Sequence, residues 1–144
     1  MTLLDANALL ALLRGQPAEY EVAELLHHGS CATPSSCLVE IVDRLIRRWG
    51  SSPEQVSEGL GPLIEESLDI LRVDSATAWR AGKLRATHYH RKTCALSLAD
   101  CVLLATAGPE DEIATSDAPL AGIACTLDIG VIALPDSRGR RPRI

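Results

Sequence analysis

Three stretches of this chain are apolar apart from a single carboxylate each. From Met1 to Leu13 the only charge is Asp5, from Thr93 to Pro109 it is Asp100, and from Ile113 to Leu127 it is Asp117. An ionised carboxylate set in a core-forming run is costly unless something pairs with it. No Lys or Arg lies within these runs to do so. Two chemistries account for such acids. Each one taken alone reads first as a helix cap: Asp5 and Asp117 as N-caps, and Ser97-Leu98-Ala99-Asp100 as a capping box, although that box prefers Glu or Gln at its last position. Taken together, three carboxylates meeting at one place need a cation, and an all-oxygen site selects Mg²⁺ or Mn²⁺. The two are compatible, because a helix N-terminus keeps a carboxylate ionised. The metal reading requires Asp5, Asp100 and Asp117 to lie within one cation's reach, whereas scattered acids are only caps.

The elements that must position these acids alternate between strand and helix. Strands are expected at Met1–Leu4, Cys31–Thr33, Leu68–Val73, Glu112–Thr115 and Val131–Leu134. Helices are expected at Ala6–Arg14, Pro17–His28, Leu38–Trp49, Ala76–Arg91, Ser97–Ala107 and Ala118–Leu127. Leu38, Ile41, Val42, Leu45 and Trp49 form one apolar stripe of the third of these. Pro53–Ser67 is a weaker helix, since Gly59, Gly61 and Pro62 interrupt it, and the Gly- and Ser-rich stretch from Gly50 predicts shortened or shifted middle helices. This alternation predicts an α/β fold with a mostly parallel central sheet flanked by helices. Ligands of such sheets gather beyond the carboxyl ends of the strands, where Asp5 and Asp117 fall. Residues 1–135 make one domain, and 136–144 a basic C-terminal tail that reads as flexible.

A fourth acid, Glu40, lies opposite the apolar stripe beside Asp43, Arg44 and Arg47. Helical geometry alone makes it a solvated residue paired with Arg44 four positions on. Its place in the first turns after the Cys31–Thr33 strand is what makes it a candidate. His88 and His90 are two apart, do not share a helical face, and read as surface histidines. The five cysteines, Cys31, Cys37, Cys94, Cys101 and Cys125, are scattered with no C-x-x-C spacing and read as small buried thiols. The N-terminus lacks a basic n-region and no apolar run is long enough to cross a bilayer, so a cytoplasmic location is expected. A phosphoacceptor receiver domain wants an acidic pair after its first strand and a Lys after its last, and neither occurs. A haloacid-dehalogenase-like phosphatase wants an Asp where Asn7 stands. Gly59-Leu60-Gly61 lacks a third glycine, and there is no G-x-S-x-G elbow.

With these residues assembled, the chain resembles PIN-domain proteins, and among them the VapC toxins of type II toxin–antitoxin pairs. The resemblance runs through Leu3-Leu4-Asp5-Ala6-Asn7, Ser36-Cys37-Leu38-Val39-Glu40-Ile41, Leu96-Ser97-Leu98-Ala99-Asp100 and Ile113-Ala114-Thr115-Ser116-Asp117. It implies an α/β sandwich and Mg²⁺-dependent RNA cleavage leaving a 5′-phosphate and a 3′-hydroxyl. Asp5, Glu40, Asp100 and Asp117 match the family's acidic quartet, both catalytic and metal-binding, with Asp5 and Asp100 the foremost ligands. Asn7 and Thr115 match auxiliary polar positions that orient the acids. The family often follows its last acid with a basic or polar residue, whereas Asp117-Ala118-Pro119-Leu120 continues apolar, which argues against phosphate contacts there. A cognate antitoxin and a homodimer are also implied. The alternative is a PIN-fold protein-binding module with little or no nuclease activity.

The chain has 144 residues and a formal charge of −5, which argues against a nucleic-acid partner. Aromatics are scarce, with two Trp, two Tyr and no Phe, which argues against gripping bases by stacking. Yet setting the four acids aside leaves the remainder close to neutral. All the cations except Arg14 and Arg72 fall into three groups: Arg44, Arg47 and Arg48; Arg80 to Lys92; and Arg138 to Arg143. Each reads singly as part of a solvated face. Jointly they could carry phosphates past the acids, with Arg44, Arg47, Arg91 and Lys92 the RNA-binding candidates.

Overall fold

The computed structural model describes all 144 residues, Met1–Ile144. Five parallel strands form the sheet: β1 (Thr2–Leu4), β2 (Cys31–Pro34), β3 (Leu68–Leu71), β4 (Glu112–Thr115) and β5 (Gly130–Ala133), in the order β3-β2-β1-β4-β5. Seven α-helices connect them: α1 (Ala6–Leu13), α2 (Glu19–His28), α3 (Ser35–Asp43), α4 (Pro53–Glu66), α5 (Ser75–His88), α6 (Leu98–Thr106) and α7 (Ala118–Thr126). Between α3 and α4 lies one π-helical turn, Arg44–Arg48. The predicted α/β architecture with a parallel sheet is what the chain adopts. No helix is long and apolar enough to cross a membrane.

β1 is the central strand, and its sequence shows why. Leu3 and Leu4 are fully buried, because a strand covered on both faces must be apolar on both. Leu3 and Leu4 stand in register with Ile113 and Ala114 of β4, which are equally buried. Leu9, Leu10, Ile41, Leu103 and Leu120 complete the packing from α1, α3, α6 and α7. The chain winds from β1 outward to β2 and β3, then returns to lay β4 on the other side of β1. The reversal makes the gap between the carboxyl ends of β1 and β4 the topological switch point, the place where open α/β sheets hold ligands.

Two departures from the sequence reading have local causes. α4 runs unbroken for 14 residues through Pro62. Its start is fixed by Ser52, which accepts from the Gln55 N–H at 3.1 Å while the Gln55 side chain accepts from the Ser52 N–H at 2.8 Å. Buried Val56 and Leu60 then hold it to the core, so one missing donor at Pro62 does not end it. The second departure is the π turn, which splits the single helix expected over Leu38–Trp49. The Trp49 N–H donates to Arg44 O, five residues back, at 3.3 Å. Gly50 follows with φ +69°, a left-handed conformation that suits glycine.

The tail is tied down. Asp136 accepts from the Arg138 and Arg140 N–H groups, Arg141 forks onto Glu21 of α2, and Pro142 is buried. Three of the cysteines, Cys31, Cys37 and Cys101, are buried thiols as expected, whereas Cys94 is half-buried and Cys125 exposed.

Candidate active site

Asp5 follows β1 directly and is the N-cap of α1. Its Oδ1 accepts from the Ala8 N–H at 2.6 Å, and its Oδ2 accepts from the Thr115 hydroxyl at the end of β4. The Thr115 oxygen in turn accepts from the Asp117 N–H at 2.9 Å, so one threonine ties both strand–helix junctions together. Asp117 caps α7 by accepting from the Leu120 N–H at 2.8 Å. Asp100 completes a capping box with Ser97 at the start of α6, at 2.7 and 3.0 Å. Each of the three lone acids is therefore a cap.

They are also close enough to act on one another. Asp5 is 1 % exposed, and burial pushes its carboxyl up to about 7. The Thr115 and Ala8 donors oppose that rise, and the charges of Asp100 and Asp117 add to it. Burial likewise raises Asp117, with Asp100 contributing. Glu40 is raised by burial first and by Asp100 next, with Arg44 pulling the other way and Asp117 adding to the rise. Asp5 at the β1–α1 junction, Asp117 at the β4–α7 junction and Glu40 on α3 thus all feel the charge of Asp100 on α6. No three His, Cys, Asp or Glu side chains are gathered into a ready-made cation cage. The strict expectation that Asp5, Asp100 and Asp117 surround one ion as they stand is not met. One oxygen of each is turned to a helix cap instead.

Glu40 is drawn in by Arg44, whose guanidinium donates to Glu40 Oε1 at 3.3 Å and to Asn7 Oδ1 at 2.7 Å. Asn7 therefore positions Arg44 and touches none of the acids by hydrogen bond, whereas Thr115 orients two of them directly. Of the cations proposed for RNA, only Arg44 stands among the acids. Arg47 forks onto Asp43 on an exposed face, and Arg91 and Lys92 lie in the exposed turn between His90 and Cys94. Ser36 Oγ, in the first turn of α3, is the one buried side-chain oxygen without a partner. Nothing in the sequence marks it, since a Ser near a helix start is ordinary.

The model of the PIN domain family matches residues 2–124. The chain belongs to the PIN domain family. Solved structures carry the same fold at low identity. FitAcB from Neisseria gonorrhoeae is 25 % identical with a TM-score of 0.60, over 92 % of this chain and 96 % of that one. DNA-bound VapBC from Salmonella typhimurium is 18 % identical with a TM-score of 0.65, over 91 % and 96 %. VapC20 from Mycobacterium tuberculosis, a sarcin–ricin loop cleaving toxin, is 18 % identical with a TM-score of 0.58, over 73 % and 79 %. No curated protein sequence matches the chain. In this PIN domain the three lone acids stand as caps without a ready-made cation cage, and the family match holds regardless.

Thr115→Val tests the bridge between the two junctions. It leaves the buried Asp5 carboxylate short of a donor and the Asp117 N–H short of an acceptor, at a cost of about 1–3 kcal/mol. Because the hydroxyl stabilises the ionised form of Asp5, urea denaturation should show a larger loss at pH 8 than at pH 5. Equal losses at both would remove Thr115 from this role.

Proposed function

We propose that this PIN domain is a Mg²⁺-dependent endoribonuclease, with Mn²⁺ as substitute, and that it is the toxin of a type II toxin–antitoxin pair acting in the cytosol. What supports the reading is that Thr115 ties the Asp5 and Asp117 junctions together and that Asp5, Glu40 and Asp117 lie near enough to Asp100 for its charge to add to the effect of burial in raising their proton affinity. Four carboxylates against one guanidinium leave negative charge to be neutralised, and an oxygen-only donor set suits a hard divalent cation. Asp100 Oδ1, Asp117 Oδ2 and Glu40 Oε2 make no hydrogen bond and are free to turn toward one. Asp5, with both oxygens engaged, still has a second lone pair on each.

Asp5 and Asp100 are the foremost ligands, with Glu40 and Asp117 completing the set. Bound there, Mg²⁺ supplies Lewis-acid polarisation of a phosphodiester and lowers the pKa of an attacking water. The protein does the positioning. Thr115 fixes the Asp5 and Asp117 carboxylates, Asn7 holds the Arg44 guanidinium beside the site, and Arg44 can meet a non-bridging phosphate oxygen. Glu40 and Asp117, with raised proton affinity and one free oxygen each, are the groups suited to accept the water's proton. Incubation of RNA with the protein and Mg²⁺ should give fragments with 5′-phosphates and 3′-hydroxyls, and EDTA should prevent it. Fragments ending in 2′,3′-cyclic phosphates would contradict a hydrolytic metal mechanism.

The VapBC neighbour supports a cognate antitoxin, and VapC20, a sarcin–ricin loop cleaving toxin, supports RNA as substrate. The resemblance to VapC toxins implies a homodimer, which light scattering reads directly. One observation favours a second reading, a protein-binding module with little catalysis: the acids stand as caps, and Arg44 already occupies Glu40. Under that reading a partner protein binds tightly while RNA survives any concentration of Mg²⁺ or Mn²⁺.

A further inference from the structure

The π turn after α3 has a directional consequence. In an α-helix Trp49 would follow Leu45 and Val42 onto the apolar stripe. After the five-residue step from Arg44 the indole rests on the edge of the core and also meets the Arg44 guanidinium. There it walls a cleft of about 300 Å³ shared with Arg44, Arg48, Asn7, Ser116 and Asp117. Three guanidiniums surround the ring. Arg14 stacks on it at 4.2 Å from the centroid, and Arg44 and Arg48 lie at 5.5 and 5.6 Å. Arg47, Arg140 and Arg141 are all matched to carboxylates. Arg14 and Arg48 have no hydrogen-bonded or ion-pair partner for their side chains. The cleft thus joins an aromatic surface, the unmatched Arg48 and one of the four site acids, Asp117, with Arg14 stacked on the ring that forms its wall.

We infer that this cleft is a nucleotide subsite, in which the Trp49–Arg14 stack takes a base and Arg48, with Arg44, takes the phosphate next to the one that is cut. The inference rests on the ribonuclease reading and deepens it: the substrate is single-stranded RNA at this point, since only an unpaired base can leave its own helix to stack on protein. Aromatic rings and guanidinium planes both serve as platforms for bases. The indole fixes where a base rests and Arg48 where its phosphate rests, which sets the register of the strand over Asp5 and Asp100. A stacked platform is tolerant of base identity, so the subsite sets register and strandedness ahead of sequence. The scarcity of aromatics in the chain does not weaken this, because one ring at the cleft wall suffices.

The test uses the full chain with Trp79→Phe, which leaves Trp49 as the only indole, and a catalytically silent Asp100→Asn background. A 12-nucleotide single-stranded RNA should quench the Trp49 emission as it binds, measured alongside anisotropy of a labelled strand. Trp49→Leu should weaken binding about tenfold, within roughly 5- to 100-fold, as loss of one stacked base does. Trp49→Phe should restore most of it. Arg48→Ala, on an exposed position that does not threaten folding, should weaken binding and flatten its salt dependence. Replacing the stacked base by an abasic site in the RNA should abolish the difference between wild type and Trp49→Leu. RNA binding of unchanged affinity in Trp49→Leu and Arg48→Ala overturns the inference and leaves the ribonuclease reading standing. Loss of partner-protein binding in those variants with RNA affinity unchanged also overturns it, assigning the cleft to a protein. A wild-type chain that neither binds nor cleaves RNA overturns both.

Discussion

Asp5→Asn should make the protein more stable above pH 7 while abolishing RNA cleavage. The wild-type carboxyl is buried at the sheet centre and pushed up to about 7 from an ordinary value of 3.8. A carboxylic acid whose folded pKa lies above its unfolded one contributes its full stability below about pH 4 and loses it as pH rises toward about 7. A shift of about three units corresponds to about 4 kcal/mol. The asparagine amide at position 5 is isosteric and uncharged, is itself a good N-cap for the Ala8 N–H, and donates to the Thr115 oxygen in place of accepting from it. The Thr115 proton must then find another acceptor, which takes back part of the gain. The expected net effect is about 2–4 kcal/mol at pH 7.5, on the order of 10 °C in Tm, shrinking toward zero at pH 4. Thermal unfolding of both proteins from pH 4 to 8 measures it. Parallel curves would mean that Asp5 is not carrying a buried charge.

Divalent cations should reverse the same cost. A cation that binds the folded state alone stabilises it by RT ln(1 + [L]/Kd), about 2.7 kcal/mol at a hundredfold excess over Kd. Because protons compete for the same carboxylates, the stabilisation by Mg²⁺ should be several degrees at pH 7.5 and should fade by pH 5. Asp100→Asn should lose most of it, since Asp100 raises Glu40, Asp117 and Asp5 alike. Asp43→Asn on the exposed face should retain it. A Mg²⁺ shift of equal size in the Asp100 variant would show that the ion binds elsewhere.

These effects explain why the acids were legible before any fold. A carboxylate in an apolar run is a visible cost, and two of the three, Asp5 and Asp117, follow strands that turn out to be neighbours in the sheet, while Asp100 falls in the first turn of α6. The strands were legible for the same reason: Leu3-Leu4 and Ile113-Ala114 are apolar on both faces. Glu40 was not, because its spacing to Arg44 is equally that of a solvated pair, and both descriptions hold: the pair exists, at 3.3 Å, inside the site. Asn7 could be placed from its motif but not given its partner, since Arg44 reaches it across 37 positions of chain. Trp49 does pack at the edge of the core as its stripe predicts, but the π turn at Arg44–Arg48 and the three guanidiniums around its ring carry no signal in helical periodicity. Pro62 misled in the opposite direction, because a strong cap at Ser52 and the burial of Val56 and Leu60 outweigh one missing donor.

The proposed ribonuclease activity requires one property of four side chains, that they hold a divalent cation against a phosphodiester. The direct measurement is cleavage of a defined single-stranded RNA by wild type and by Asp100→Asn, with Mg²⁺ and with EDTA, using circular dichroism to verify that both are folded. Wild type with Mg²⁺ should cut, EDTA should stop it, and the folded Asp100 variant should fall toward the rate seen with EDTA. Cleavage that survives EDTA, or an Asp100→Asn variant cutting at the wild-type rate, would contradict the account.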